Sequence, residues 1–424
     1  MSVADPGPTP PGPRPRTPSG EAPSPSPVHF DVIVVGAGLI GLATARALQK
    51  RGVGRVAILE AEARPGLHQS GRNSGVIHSG LYYRPGSSKA RNCARGREAM
   101  YDFCRTEEIP HRRTGKLVVA TRDRELPTLE LLAGRGRDNG LKGLRFLDPA
   151  EMGDLEPNVA GVRALRVEEA GIVDFGAVAR RLAERVTEAG ADLMIGHRVV
   201  GVRGGNVETT GGSVRGAFLV SCAGLHAHRV ARMEGLDPPA RIVPFRGEYR
   251  EILPPGRDLV RGLIYPVPNP ELPFLGIHVH RTVDGGAEAG PNAVLATHPE
   301  GYRRRDLSPA LLLELAAWPG FWRMGLRHGR HAVGEMLRSL SPRRFLAELQ
   351  RLVPALEPSH LGQARSGLRA QAVDRQGHLV DDFLFEEGSR SVHVLNAPSP
   401  GATACLAIGK EIAGRVVARI GAGG

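Results

Sequence analysis

Asp31-Val32-Ile33-Val34-Val35-Gly36-Ala37-Gly38-Leu39-Ile40-Gly41 is the stretch on which the fold of this chain turns. Four β-branched residues in a row, Val32 to Val35, suit a short strand buried on both faces. The glycine-rich turn runs into a helical stretch through Arg51, and a second apolar run from Arg55 to Leu59 ends at Glu60. Together these make a βαβ unit. Gly36 permits the tight turn, Gly38 lets backbone approach a pyrophosphate, and Gly41 lets helix and strand pack closely. The helix N-terminus turns free N–H groups and the positive end of its dipole toward the phosphates. Glu60, 19 positions beyond Gly41, stands where an acidic side chain accepts hydrogen bonds from ribose hydroxyls and repels a 2′-phosphate. A lone G-x-G-x-x-G is weak evidence, and a purely structural glycine turn is the competing reading. Strand, helix and acid in the right order favour a dinucleotide site.

Working outward, the chain has 424 residues, enough for two domains, and its 41% hydrophobic and 24% charged residues allow a sizeable core. A formal charge of +12 raises nucleic acid or an acidic membrane as partners. Five of the 56 basic residues are lysines, and the arginines are spread along the whole chain, which points to compositional bias rather than a nucleic-acid-binding patch. The four cysteines, Cys93, Cys104, Cys222 and Cys405, form no C-x-x-C pair and have no metal-ligand spacing, so no metal site is expected. Cys93 and Cys104 read as residues of one helix, about 16 Å apart along its axis and out of disulfide range. Reduced, buried thiols are expected. No run reaches the roughly 18 apolar residues of a membrane span, and the start lacks a charged-then-apolar signal pattern. A cytoplasmic protein is the expectation.

Residues 1–27 are proline-rich with almost no large apolar residue, and read as a disordered tail. Beyond the βαβ unit, helices are expected over 88–108, 123–139, 174–189 and 225–235, and strands near 115–121, 192–202 and 216–222. Several strands separated by proline and glycine turns follow over 241–300, and 303–353 reads as helical. Strands near 378–385 and 391–396 precede a closing helix from about 402, whose Ile408, Ile412, Val416 and Ile420 make one apolar face.

The fingerprint alone does not separate FAD from NAD. The continuation does: His68-Gln69-Ser70-Gly71-Arg72-Asn73-Ser74-Gly75-Val76-Ile77-His78-Ser79-Gly80 is a glycine- and hydroxyl-rich loop. Nicotinamide-dependent dehydrogenases usually go straight into the next helix at this point, whereas flavoproteins place a second loop over the pyrophosphate and along the isoalloxazine. With Tyr82-Tyr83 and Pro85-Gly86-Ser87, this segment resembles the FAD-dependent oxidoreductases of the D-amino-acid oxidase superfamily, and within it the L-2-hydroxyglutarate dehydrogenase/oxidase family. Further blocks agree: Pro244-Phe245-Arg246-Gly247-Glu248-Tyr249, Leu263-Ile264-Tyr265-Pro266 with Pro273-Phe274-Leu275-Gly276, Gly290-Pro291-Asn292-Ala293, Gly367-Leu368-Arg369-Ala370-Gln371-Ala372, and Asn396-Ala397-Pro398-Ser399-Pro400-Gly401-Ala402-Thr403. The likeness spans 30 to 420; Gly401 departs from the alanine expected there, without consequence for the chemistry.

The resemblance implies an α/β (α+β) fold. A discontinuous Rossmann-like FAD-binding domain is expected over 28–90, 150–240 and 360–424, and an antiparallel-sheet substrate domain over 91–149 and 241–359. It implies FAD held by Gly36, Gly38, Leu39, Ile40, Gly41 and Glu60, by Ser70, Arg72, Asn73, Ser74 and Gly75, by Val199, by Cys222, Ala223 and Gly224, and by Pro400, Gly401, Ala402 and Thr403 at the opening of the closing helix. The N–H groups there can face the pyrimidine edge of the flavin, where negative charge gathers on reduction.

Oxidation of a 2-hydroxy acid also needs a base and cations for the carboxylates. His78 is the candidate base, since an imidazole suits proton abstraction near neutrality. Packing against the flavin, or a covalent link to it, is its alternative role. His278 and His280, two apart on a strand and so on one face, come second. Guanidinium suits bidentate carboxylate recognition: Arg369 resembles the arginine that grips the α-carboxylate in related oxidases, and Arg246 is a candidate for the distal one. Tyr83, Tyr265 and Asn292 are candidates for hydrogen bonds to substrate or for packing.

Over 301–345, arginines surround Trp318 and Trp322, a pattern that suits either docking on an anionic membrane surface or a helix facing the core. The resulting expectation is FAD-dependent oxidation of L-2-hydroxyglutarate to 2-oxoglutarate, with quinone or oxygen as acceptor and a peripheral contact with the inner face of the membrane. Another 2-hydroxy acid, glycerol 3-phosphate or an amino acid is the alternative substrate, and a flavin-binding protein without turnover is the alternative class.

Overall fold

The computed structural model describes residues 29–268 and 276–421. The proline-rich tail and Pro273, Phe274 and Leu275 lie outside the described residues. Val32 and Val34 turn to one side of the first strand, His29–Val35, and Ile33 and Val35 to the other, all buried. This strand is therefore central. It pairs in parallel with Val56–Glu60 on one side and Gly212–Ser221 on the other. Asp192–Ile195 and Ser391–Asn396 extend the parallel set at its two ends, and three antiparallel strands complete eight. Helices Leu39–Gln49, Phe175–Glu188 and Gly401–Gly421 cover one face through Leu42, Leu48, Val178, Leu182, Ile408 and Ile412. Each such side chain, fully withdrawn from water, contributes about 1.5–3 kcal/mol.

Among the described residues the second sheet has nine strands. Its spine is the long antiparallel pair Ala240–Ile252 and Leu361–Asp374. Leu117, Val119, Ile264 and Val279 on its outer face pack on Phe345, Leu346 and Leu349 of the helix Pro342–Gln350. Within this mainly antiparallel sheet, Lys116–Ala120 and Leu263–Pro266 run parallel. A small sheet of Val76–Ile77, Gly171–Val173 and His111–Arg112 lies at the root of the second loop.

Several expectations change. The strand expected over 192–202 is two strands, Asp192–Ile195 and Val199–Arg203, because Gly196 between them adopts φ 76°. The strand expected near 378–385 begins only at Leu384. Before it, the chain makes a turn closed by His378 N–H and Gly377 N–H on Asp374, and Asn396 donates its amide to Val380 O and Asp382 O in place of a ladder. Ile408, Ile412 and Val416 are buried, but Ile420, in the last turn of the helix, is 40% exposed. The cysteines are free, with Cys222 only part-buried. The domain limits expected above are also cut differently by the sheets. Arg163–Val167 and Leu361–Asp374 belong to the nine-stranded sheet, and the helix Ser88–Thr106 packs its Gly96 on Ala404 of the closing helix.

Candidate functional site

The parallel strands end together at Val35, Glu60 and Ser221, and the loops that leave them form one rim. Gly36 has φ 99°, and a Cβ there would stand 2.6 Å from Cys222 O. A Cβ on Gly41 would overlap the carbonyl of Gly36. The turn is therefore possible only with glycine at both places. Gly38 precedes the helix Leu39–Gln49 and has no side chain to satisfy its first-turn N–H groups. Leu39 N–H donates to Ser70 Oγ (3.0 Å), which ties the second loop to the fingerprint, and Ile40 follows in the same turn. Buried Glu60 accepts from Ala37 N–H (2.8 Å) and Glu62 N–H (3.0 Å), so its carboxylate is fixed at the rim before any ribose arrives.

The other residues expected to hold the cofactor lie round that rim. Cys222 N–H donates to Val35 O, and Ala223 and Val199 each pack against the apolar cluster on that side of the sheet. Gly224 has φ 52° and lies beside Gln69. Asn73 organises the second loop, donating to Gln69 O and Ser70 O and accepting from Gly75 N–H. Ser74 and Gly75 carry the loop to Val173, whose N–H donates to Gly75 O. Pro400, Gly401 and Ala402 open the closing helix, and Thr403 Oγ1 accepts the N–H of His78 at 3.0 Å. Arg72 differs from expectation: its guanidinium stacks 3.9 Å from the centre of the Tyr302 ring, and only its backbone carbonyl approaches the site, against Gly367.

Glycine at every close approach, a helix N-terminus whose N-cap residue is a glycine and a fixed carboxylate at the strand end together fit a dinucleotide. Glu62, His68 and Glu300, within 4.8 Å of one another, have metal-ligand types. Arg198 bridges the two carboxylates at 2.9 and 2.7 Å, so a guanidinium already supplies the positive charge there.

Beyond the rim lies the inner face of the nine-stranded sheet. The register Phe245↔Arg369 and Arg246↔Leu368 sends the two arginines to opposite faces, because neighbours on a strand alternate. Arg369 is on the inner face. Arg246 is on the other, donating to Arg303 O (3.2 Å) and standing 3.5 Å from Glu248. Asn292 is bound to Glu248 as well, through its N–H and its carboxylate. Arg246 and Asn292 thus hold a structural network with Arg304 and Ser339, not the inner face. Tyr83 lies 3.5 Å from Ser399, and Tyr265 stacks on His278 with ring centres 3.9 Å apart.

Sequence reasoning missed Lys116. Its side chain is 1% exposed, with the ammonium 4.3 Å from the Tyr82 ring centre and 4.9 Å from that of Tyr265. The signal was there: a lysine opening the run Lys116-Leu117-Val118-Val119-Ala120, all five of them buried. Burial pushes its ammonium down to about 7. Burial first, then Lys116, Arg369 and Lys89, push the His78 imidazole down to about 3, so it stays neutral and able to accept a proton. His278 is held well below the ordinary range by burial and by His280. The face therefore offers fixed cations beside neutral imidazoles, a setting for an anionic substrate and proton abstraction.

The family described as FAD dependent oxidoreductase matches residues 31–415. The chain is 46% identical over 391 residues to the L-2-hydroxyglutarate dehydrogenase of Indibacter alkaliphilus, covering 90% of this chain and 98% of that protein. Identity to the L-2-hydroxyglutarate dehydrogenase of Escherichia coli K12 is 40%, covering 91% and 93%, and to the mitochondrial one of Homo sapiens 38%, covering 92% and 89%. Among solved structures, dithionite-reduced L-alpha-glycerophosphate oxidase from Mycoplasma pneumoniae with FAD bound aligns with TM-score 0.75 at 22% identity, covering 92% and 95%. Glycine oxidase from Geobacillus kaustophilus aligns with TM-score 0.70 at 20% identity, with the same coverage. These two share the fold.

Proposed function

For a chain that belongs to the FAD-dependent oxidoreductases, and among them to the L-2-hydroxyglutarate dehydrogenase family, we propose oxidation of L-2-hydroxyglutarate to 2-oxoglutarate. The observation that carries this reading is His78, held to the closing helix by Thr403 and close enough to Arg369 and Lys116 for both cations to act on its imidazole. Bound FAD, held by the glycine turn, Glu60, the second loop and the opening of the closing helix, would accept the hydride from the α-carbon. His78 takes the hydroxyl proton on a ring nitrogen. Arg369 holds the α-carboxylate and so fixes which hydrogen faces the cofactor. A dianionic substrate also offsets the two cations that, after burial, lower the imidazole, so binding itself makes it a stronger base.

For the acceptor, the reading is a quinone reached from an anionic membrane. No helix among the described residues is long and apolar enough to cross a membrane. The helix Pro319–Leu340 instead carries Trp322, Leu326, Val333, Met336 and Leu340 along one side, exposed, while Trp318 just before it is buried. Trp322 is thus the tryptophan on the exposed side and Trp318 the one in the core. Exposed Arg327 on the same helix, and Arg343 and Arg344 just beyond it, add the positive charge such docking uses.

The test is anaerobic stopped-flow bleaching of the flavin band by L-2-hydroxyglutarate, with the D-isomer, glycerol 3-phosphate and glutamate in parallel. Bleaching by the L-hydroxy acid alone is expected; a band that stays oxidised with it sinks the reading. Reoxidation is then timed with oxygen and with a soluble quinone, and a faster reaction with oxygen would overturn the acceptor.

A further inference from the structure

The pleat of the nine-stranded sheet can be followed residue by residue across its inner face. Arg369 lies opposite Phe245, on the side that Tyr249 shares, and Glu251 lies opposite Glu288. Glu288 lies opposite His280, His280 opposite Leu263, and Tyr265, two residues on, opposite Val118. Lys116 precedes Val118 by two. Side chains directly opposite, or two apart on a strand, share a face. Arg369 and Lys116 therefore belong to one surface, at its two ends, with the stacked Tyr265 and His278 between them.

The cation in the middle of this surface, Arg365, is paired with Glu288. Lys116 is not matched in this way. Among the described residues no carboxylate, hydroxyl or carbonyl is hydrogen-bonded to its ammonium; the two aromatic rings are its near neighbours. The hydroxyls of those rings, Tyr82 Oη and Tyr265 Oη, are buried without a hydrogen-bond partner. An ammonium without a hydrogen-bond partner beside the rings of two tyrosines whose hydroxyls are buried and unsatisfied is costly unless something fills the gap. One carboxylate satisfies all three, since it accepts up to four hydrogen bonds.

Resting on the dicarboxylate reading above, we propose that Lys116, with the hydroxyls of Tyr82 and Tyr265, binds the carboxylate of the substrate remote from the carbon oxidised. The sequence assigned that duty to Arg246, which the register places on the far face. Lys116 is then the residue that selects a 2-hydroxy dicarboxylate over a 2-hydroxy monocarboxylate, and Arg369 serves both.

The experiment compares the wild-type holoenzyme with Lys116→Met and Lys116→Arg on L-2-hydroxyglutarate and on L-2-hydroxypentanoate, which has methyl in place of the distal carboxylate. Loss of a charge-assisted hydrogen bond should raise KM for the dicarboxylate about 100-fold in Lys116→Met. Its kcat should stay within a few-fold, and KM for the monocarboxylate should not rise. Lys116→Arg should keep the dicarboxylate preference. An equal loss of kcat/KM on both substrates in Lys116→Met would overturn the assignment, leaving a general catalytic or structural role. Glutarate and pentanoate are titrated in parallel by their perturbation of the flavin spectrum, which needs no turnover. A wild-type preference for glutarate that vanishes in Lys116→Met supports the anchor even if L-2-hydroxyglutarate is not oxidised. No wild-type preference for glutarate overturns the anchor whatever the substrate.

Discussion

Thr403 holds the backbone N–H of His78 at 3.0 Å across 325 residues of chain, and approaches Val76 O at 3.4 Å with the same hydroxyl. The imidazole and the opening of the closing helix are thus positioned as one unit. Replacing His78 by Asn should lower kcat by roughly 10²–10⁴-fold with little change in substrate affinity, the usual loss when a general base is removed. Thr403→Val keeps the volume and removes the hydrogen bonds, at a cost of about 1 kcal/mol in stability. Single-turnover flavin reduction should slow in both variants, more in His78→Asn. Full-speed reduction in His78→Asn would assign the base elsewhere.

The opposite orientations of Arg369 and Arg246 make them separable. Arg369→Lys retains charge but loses the planar fork, and KM should rise about tenfold or more. Arg246→Met should leave KM near that of the wild type and lower the melting temperature by several degrees, because part of the network that neutralises Glu248 is lost. Steady-state kinetics and thermal melts on the two proteins check this together. A raised KM in Arg246→Met with an unchanged melt would contradict the assignment.

The pH dependence follows from Lys116. Burial lowers its folded value from 10.5 to about 7, so between those limits the unfolded chain holds a proton that the folded chain lacks. Stability from this group therefore rises with pH across that window. Carboxylate binding has the opposite sign, since it needs the ammonium. The groups facing Lys116 stay neutral there: Cys93 is pushed up to about 12, Tyr82 and Tyr265 are raised by burial, and His78 is held near about 3. KM for the dicarboxylate should therefore climb above about pH 7, while KM for L-2-hydroxypentanoate stays flat. Parallel profiles for the two substrates would show that another group controls the limb.

The exposed strip on Pro319–Leu340 predicts vesicle binding that depends on anionic lipid. Leu326, 88% exposed, sits in it with no packing to lose. Leu326→Glu should abolish co-flotation with anionic vesicles and leave turnover with a soluble acceptor unchanged. Equal flotation of variant and wild type would remove the strip from consideration.

The part of the site that rests on local sterics was legible in the sequence. Gly36 and Gly41 read as obligatory because the positive φ at Gly36 and the contact of a Gly41 Cβ with Gly36 O both lie within six residues. Thr403 and the second loop were found through resemblance. What stayed hidden depends on pairing between distant strands. The motif around Arg246 could not show on which face the residue would emerge, since a shift of one residue reverses the face. Lys116 read as an ordinary strand start until Leu263–Pro266, nearly 150 residues later, brought Tyr265 beside it. The small-sheet strands Val76–Ile77 and His111–Arg112, two residues each, are too short for any periodicity to reveal.

The closing helix, Gly401–Gly421, packs on the fingerprint helix Leu39–Gln49 in one buried cluster that includes Leu42, Ile408 and Ile412. On the ribosome, the fingerprint and its strand emerge long before that helix exists. The face of the fingerprint helix that Gly401–Gly421 covers therefore stays open to water until that helix has been synthesised.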